Sequence, residues 1–293
     1  PIDPGSAGAV NNVGSGGGAG GGLVRIEAVS GVTVNGAITA NGLGGFGGGG
    51  GAGGGIYITC ASFAATNGLL WANGGSSPQP YGGGYGGGGG GGRIALVYDA
   101  GIQSNVNLTA RPAVQISAGN GLGYGAARAG TIYMPDTGFF PADSLGGGQI
   151  VIPGFTAWSP NSLAVSNGRL TFADGFQLAV TNDLTISGSG GLDISNAMLS
   201  IGGNLTMNAA NSFAQSFLYG GSNAGFSVGG SMTVSSGTLS FVGGLTNAST
   251  LNIGGSLVLT NGGALYVYAG MTNAPKPDYG AWVNVQADVY LAS

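Results

Sequence analysis

Apolar and polar residues alternate in short runs along this chain, and the runs recur as a set. Leu199-Ser-Ile-Gly-Gly-Asn-Leu-Thr-Met207 is followed by Phe226-Ser-Val-Gly-Gly-Ser-Met-Thr-Val234 and by Leu251-Asn-Ile-Gly-Gly-Ser-Leu-Val-Leu259. The same form stands upstream at Leu178 to Ile186 and downstream at Val283 to Leu291. Apolar residues hold positions 1, 3, 7 and 9 of each copy, and small or polar residues hold positions 4 to 6. Alternation with period two puts each apolar pair on one face of a strand. The Gly-Gly-Asn/Ser centre suits a corner. Successive copies start 21, 27, 25 and 32 residues apart. Each interval holds one more alternating segment: Leu192 to Ile194, Phe217 to Tyr219, Leu239 to Phe241, and Leu265 to Tyr268. Three short strands per repeat predict an all-β chain folded as a parallel β-helix.

The N-terminal half carries the module in altered form. Val32 to Ala40 fits it, Ala64 to Ala72 follows 32 residues later, and Leu108 to Ile116 reads as a third copy. A strand precedes each copy, at Val24 to Ala28, Ile56 to Cys60 and Ile94 to Tyr98, with a fourth at Ile132 to Met134. In register, Val24, Ile26, Ile56, Ile58, Cys60, Ile94 and Leu96 form the expected core stack. Cys60 reads as an inward thiol acting as a small hydrophobe. The whole chain reads as one β-solenoid of about nine or ten turns. Residues 1–134 form a glycine-rich half, 135–162 an irregular Pro- and Phe-containing junction, and 163–293 a regular half.

Glycine tracts stand directly before the first three of these strands, as in GGFGGGGGAGGGIYITC at Gly44 to Cys60. They recur once per turn, so stacked turns would stack the tracts. One reading is a flexible excursion from the wall. The other is an ordered layer of extended, polyglycine II-like helices with three residues per turn, hydrogen-bonded to their neighbours. Phe46, Tyr81, Tyr85, Leu122 and Tyr124 interrupt the tracts and read as anchors on the solenoid or on another subunit.

Composition narrows the chemistry. The chain has 67 Gly among 293 residues, 5% charged residues, a net charge of −4 and no His. Five Arg and a single Lys, Lys276, make no basic patch for nucleic acid. Without His, Ser-His and Cys-His nucleophile pairs and histidine-ligated zinc are excluded. Ten carboxylates are scattered singly; Asp183 and Asp288 lie about four turns apart, too far for an acid–base pair. The glycines precede strands and no G-K-[ST] follows, unlike a phosphate loop. Neither catalysis, nor a cofactor, nor a metal is expected. One Cys excludes an internal disulfide framework, and no apolar run approaches the ~18 residues of a membrane span. Asn35, Asn67, Asn182 and Asn204 sit at corners, where side-chain amides can stack in ladders. The chain begins with Pro1 and reads as part of a longer product.

The GGGG-h-x-I-x tracts, the N-G-x-I-T-A-N-G endings and the h-x-[IV]-G-G-[NS]-L-T-h repeats resemble very large secreted proteins of environmental, planctomycete- and verrucomicrobium-like bacteria. The segment Gly263 to Tyr290, with ALYVYAG, PDYGAWVNV and DVYL, looks like a recurring module of such proteins. They are similar in style to β-helix adhesins and autotransporter passengers. The resemblance implies a parallel β-helix, an extracellular or cell-surface location and adhesive or structural roles, with no catalytic residues.

The functional expectation is a structural subunit of an extracellular filament or surface layer. Neither solenoid end carries a recognisable cap, and uncapped ends invite head-to-tail stacking of copies. Candidate assembly residues are Phe46, Tyr81, Tyr85, Tyr124, Tyr266, Tyr268, Trp282, Val283, Val285, Val289 and Leu291. The alternative is an adhesin-type module binding glycans or other surface proteins through Trp71, Trp158, Tyr266, Tyr268 and Trp282. A flat threonine face is a third idea: Thr185, Thr206 and Thr233 align, but Val258 and Tyr290 break the row.

Overall fold

The computed structural model describes residues 3–10, 16–77, 86–109, 114–117, 121, 127–137, 144–145, 147–194, 197–208, 216–220, 225–243, 249–269 and 280–292. The chain forms two compact units, one built mainly from residues 1–140 and 145–154, the other from 141–144 and 155–293. Both are parallel β-solenoids.

In the first unit, β1 (Leu23–Glu27), β2 (Gly31–Thr33) and β3 (Ala37–Thr39) make one turn, and β4 (Gly55–Thr59), β5 (Ser62–Ala64) and β6 (Gly68–Trp71) the next. β7 (Arg93–Val97), α1 (Ala100–Thr109) and β8 (Val114–Ser117) follow, then β9 (Thr131–Tyr133) and β11 (Gly148–Val151); the two-residue β10 (Ser144–Leu145) spans the division between the units. The expected core stack is the register of these strands: Val24 lies beside Ile56, Ile56 beside Ile94, Ile94 beside Ile132 and Ile132 beside Ile150. Ile56, Ile58, Ile94, Leu96 and Cys60 are buried. Val24 and Ile26 are half-buried, because among the described strands β1 has a neighbour on one side only.

Two features differ from the sequence expectation. First, β2 and β5 align with an offset of 31, Val32 beside Phe63, whereas β3 and β6 keep the offset of 32, Ile38 beside Leu70. The core residue of the first arm is therefore Phe63 and not Ala64, since alternation allows Phe63 and Ala65 inside together. Second, Leu108 to Ile116 is not a third strand copy. Residues 100–109 are helical, and among the described residues of the expected copy Val114–Ser117 joins the stack, Ile116 beside Leu70. Asp99 starts the helix: its Oδ1 accepts the Ile102 N–H at 2.9 Å, an N-cap arrangement.

α1 replaces a strand, and one side chain does the strand's work. Gln103 is buried; its Oε1 accepts the Phe63 N–H at 2.6 Å and its Nε2 donates to the Phe63 carbonyl at 3.0 Å. The amide thus closes the edge of β5 as a backbone would. Gln103→Leu leaves both Phe63 groups buried without those partners, at a cost of about 1–3 kcal/mol per orphaned group. Urea denaturation should show that loss, and Gln103→Glu should not restore it, because a carboxylate cannot donate to the carbonyl.

In the second unit one sheet runs β12 (Ala157–Trp158), β14 (Gln177–Val180), β16 (Met198–Ile201), β19 (Gly225–Val228), β22 (Ser249–Ile253), β25 (Ala281–Val285). A second runs β13 (Leu163–Thr171), β15 (Leu184–Ile194), β17 (Leu205–Asn208), β20 (Met232–Ser235), β23 (Leu257–Thr260), β26 (Val289–Leu291). A third column, β18 (Ser216–Gly220), β21 (Gly237–Val242), β24 (Ala264–Tyr268), stacks on the far half of β15. The nine-residue copies coincide with the turns: Leu178, Leu199, Phe226, Leu251 and Val283 are successive register partners. Within the stretch 135–162, Phe155 lies 4.9 Å from Phe176, which stacks on Phe172 at 4.4 Å.

The corners are joined by a polar ladder. Asp183 Oδ1 accepts the Asn204 N–H at 2.7 Å, Asn204 Oδ1 accepts Ser231 N–H at 2.9 Å, and Ser231 Oγ accepts Ser256 N–H at 3.1 Å. Asn182 donates to Asn161 Oδ1 at 3.0 Å, and Asn35 Oδ1 accepts the Thr66 N–H at 3.0 Å. The expected amide-on-amide stacking is present at Asn182; Asn35 instead meets the backbone and hydroxyl of Thr66 and not Asn67, and Asn204 links the Asp183 carboxylate to the Ser231 N–H.

Candidate assembly surfaces

The glycine tracts form an ordered layer in the first unit. Take Gly49 to Gly54. Gly49 N–H donates to Ala9, Gly50 to Gly87, Gly51 to Leu43, Ala52 to Ser6, Gly53 to Gly90 and Gly54 to Ala40, all at 2.7–2.9 Å. Consecutive N–H groups therefore point to three different neighbours in rotation, and the fourth returns to the first. That is a helix of three residues per turn, the polyglycine II form. Every other pairing has the same step: Gly5 to Gly21 and Gly8 to Gly18, Gly18 to Gly49 and Gly21 to Ala52, Gly42 to Asn73 and Gly45 to Ser76, Gly89 to Gly75 and Gly92 to Ala72.

The tracts run in two columns. Gly16–Gly22, Gly48–Gly54 and Gly86–Gly92 lead into β1, β4 and β7 and are mutually parallel. Ala40–Phe46 and Ala72–Ser77 leave β3 and β6 and run antiparallel to them, while Gly5–Val10 flanks the first column. Glycine is required here by contact and not by handedness. None of Gly48 to Gly54 or Gly86 to Gly92 has a positive φ. A Cβ on Gly51 would instead lie 2.0 Å from the Ala19 carbonyl oxygen, and one on Gly54 1.9 Å from that of Gly22. Alanine appears at Ala19 and Ala52, where the third side of the helix has room.

The named assembly residues fall in separate places. Phe46 ends the Ala40–Phe46 tract and is exposed, as is its neighbour Leu43. Tyr81, Tyr85 and Tyr124 lie outside the described residues. Tyr266, Tyr268, Trp282, Val283, Val285, Val289 and Leu291 come together on β24, β25 and β26, the outermost strand of each column in the second unit. There the core rows are uncovered. Leu257 is 5% exposed and its register partner Val289 53%; Phe241 is 0% exposed and its partner Val267 44%. Val283 and Val285 are half-buried beside fully buried Leu251 and Ile253. Tyr266 and Tyr268, with ring centroids 6.2 Å apart, project from β24 as an exposed stacked pair. Thr185, Thr206 and Thr233 do align, and Val258 and Tyr290 continue their row.

Leu43 and Val10 escaped the sequence reading because single apolar residues within glycine carry no periodic signal. Among the described residues, no group of three or more His, Cys, Asp or Glu could hold a metal ion, and no helix is long and apolar enough to cross a membrane. Burial pushes the Cys60 thiol up from its ordinary range. Tyr98, 5% exposed, donates its hydroxyl to Asp136. Burial first, then that bond, raises the phenol far above its ordinary 10.0. Folded Tyr98 therefore stays neutral where the unfolded chain ionises. This contribution is complete below about pH 10 and declines as pH rises beyond it. Urea midpoints between pH 8 and 11 should fall for the native chain and fall less for Tyr98→Phe.

The fold places the chain among the parallel β-solenoids. No family model, curated protein or solved structure matches it.

Proposed function

We propose that the protein is a structural subunit that joins end to end with its own copies, at the cell surface or outside the cell. The observation that carries this reading is the outer rung of the second unit. β24, β25 and β26 keep apolar residues at core-facing positions although Val267, Val289 and Leu291 are 44%, 53% and 72% exposed. Their outer edges have no strand partner among the described residues, and such edges accept further strands. β1, β2 and β3 likewise have one edge without a strand partner among the described residues, and a heterologous, non-closing contact between such edges can propagate. The sparse charge and the resemblance to secreted β-helix proteins support the location.

Electron microscopy and sedimentation of the 293-residue chain test this. Concentration-dependent filaments or linear oligomers are expected, reduced to monomers by Val289→Asp with Leu291→Asp. Monomers that persist up to ~100 μM, where a weak specific contact would already form, sink the proposal. The exposed aromatics Tyr266, Tyr268 and Trp282 favour a second reading, a glycan-binding adhesin module; a glycan array on the monomeric variant separates the two.

A further inference from the structure

We infer that Asn261–Gly262 is a self-modification site, where the asparagine loses its amide through a cyclic imide and becomes aspartate or isoaspartate. The chemistry needs two groups. The backbone nitrogen of the following residue attacks the side-chain carbonyl carbon, Cγ, and a glycine leaves that nitrogen unshielded. A Cγ–N bond forms, the Cγ–Nδ2 bond breaks, and ammonia leaves with the proton that the backbone nitrogen gives up. Water then opens the ring. Opening at the side-chain carbonyl gives aspartate in an ordinary backbone. Opening at the backbone carbonyl gives isoaspartate, with a main chain longer by one methylene.

Seven Asn-Gly pairs occur in the chain, and the fold holds them differently. Asn41 Oδ1 accepts the Asn73 N–H at 2.8 Å while the Gly42 N–H donates to the Asn73 carbonyl at 2.8 Å, so one residue holds both reacting groups. Asn73–Gly74 lies in the glycine layer, where a Cβ on Gly74 would stand 2.0 Å from the Gly89 oxygen. Asn35 Oδ1 accepts from both the N–H and the hydroxyl of Thr66 at 3.0 Å. Gly68 is buried at the start of β6 beside Val114, and Asn167–Gly168 lies within β13 beside Ser189 and Gly190. Asn120 lies outside the described residues. Asn261 and Gly262 are both exposed. Among the described residues nothing donates to Asn261 Oδ1 and nothing accepts the Gly262 N–H. Gly262, at φ 79°, has nothing within 4 Å of where a Cβ would stand, so its nitrogen has room to turn toward Cγ. The turn is closed by the Gly263 N–H on the Thr260 carbonyl at 2.7 Å, a bond that uses neither reacting group. Asn261 Nδ2, the leaving nitrogen, donates to Ser235 Oγ at 3.2 Å. Conversion therefore removes a link to the turn before, and it puts a carboxylate or a lengthened backbone at the corner that feeds β24.

The test is to incubate the folded 293-residue chain at mildly alkaline pH and map its chymotryptic peptides by mass spectrometry, with fragmentation that distinguishes isoaspartate from aspartate. Conversion at Asn261 should run at least about tenfold faster than at Asn41, where two hydrogen bonds must break before attack. The chain unfolded in guanidinium is the reference: there the pairs differ only in their flanking residues, and the advantage of Asn261 should disappear. Both measurements read the covalent chain, so they do not depend on end-to-end assembly. Equal rates at Asn41 and Asn261 in the folded chain overturn the inference. So does an Asn261 that stays intact in the folded chain over the time in which the unfolded chain converts, or an advantage of Asn261 that survives unfolding.

Discussion

Gly51→Ala is expected to destabilise the first unit by about 3 kcal/mol or more, at or beyond the upper end of overpacking penalties, while Gly22→Ala leaves stability within about 0.5 kcal/mol. The added methyl is the same. At Gly51 it meets a carbonyl oxygen at 2.0 Å, and that carbonyl belongs to a tract bonded to others, so relief in one direction tightens another. At Gly22 nothing lies within 4 Å. Chemical denaturation of the two variants, followed by circular dichroism, measures the difference. If both variants were equally stable, the close packing of the layer would be wrong. Average glycine content cannot produce the contrast, because the two variants have the same composition.

The second large effect is Phe241→Ala. Phe241 is fully buried and lies with its ring centroid 6.4 Å from that of Phe226. Truncating a buried Phe costs about 3–5 kcal/mol. Its register partner one turn on, Val267, is 44% exposed, and Val267→Ala should cost under about 1 kcal/mol in the monomer, since much of that side chain already touches water. Solenoid turns interact mainly with their neighbours. Hydrogen exchange should therefore show the Phe241→Ala loss concentrated in β18, β21 and β24, with β4 and β7 unchanged. Uniform loss across both units would contradict that locality.

The turns were legible because each places apolar residues at a fixed spacing, and Leu178, Leu199, Phe226, Leu251 and Val283 stack as the copies align. The glycine layer was legible as one of two readings, since tracts recurring at one point of the turn must meet. α1 was not: Ala100 to Thr109 lies mostly ahead of the copy expected at Leu108 to Ile116, and the Gln103 amide ties it to β5 at Phe63. The shift at Phe63 was hidden because Phe63-Ala-Ala65 offers apolar residues in either register.

The rotation of N–H groups along each tract gives the glycine runs a reading frame. Adding or removing three residues returns every N–H to its former neighbour and merely lengthens or shortens the run. A change of one or two turns the remainder of the tract by a third or two thirds of a revolution, sending donors toward the wrong chains and carrying Ala19 or Ala52 from its roomy side into a carbonyl. Length variation among such runs is thus tolerated in triplets, and an odd insertion is felt as a phase error and not as slack.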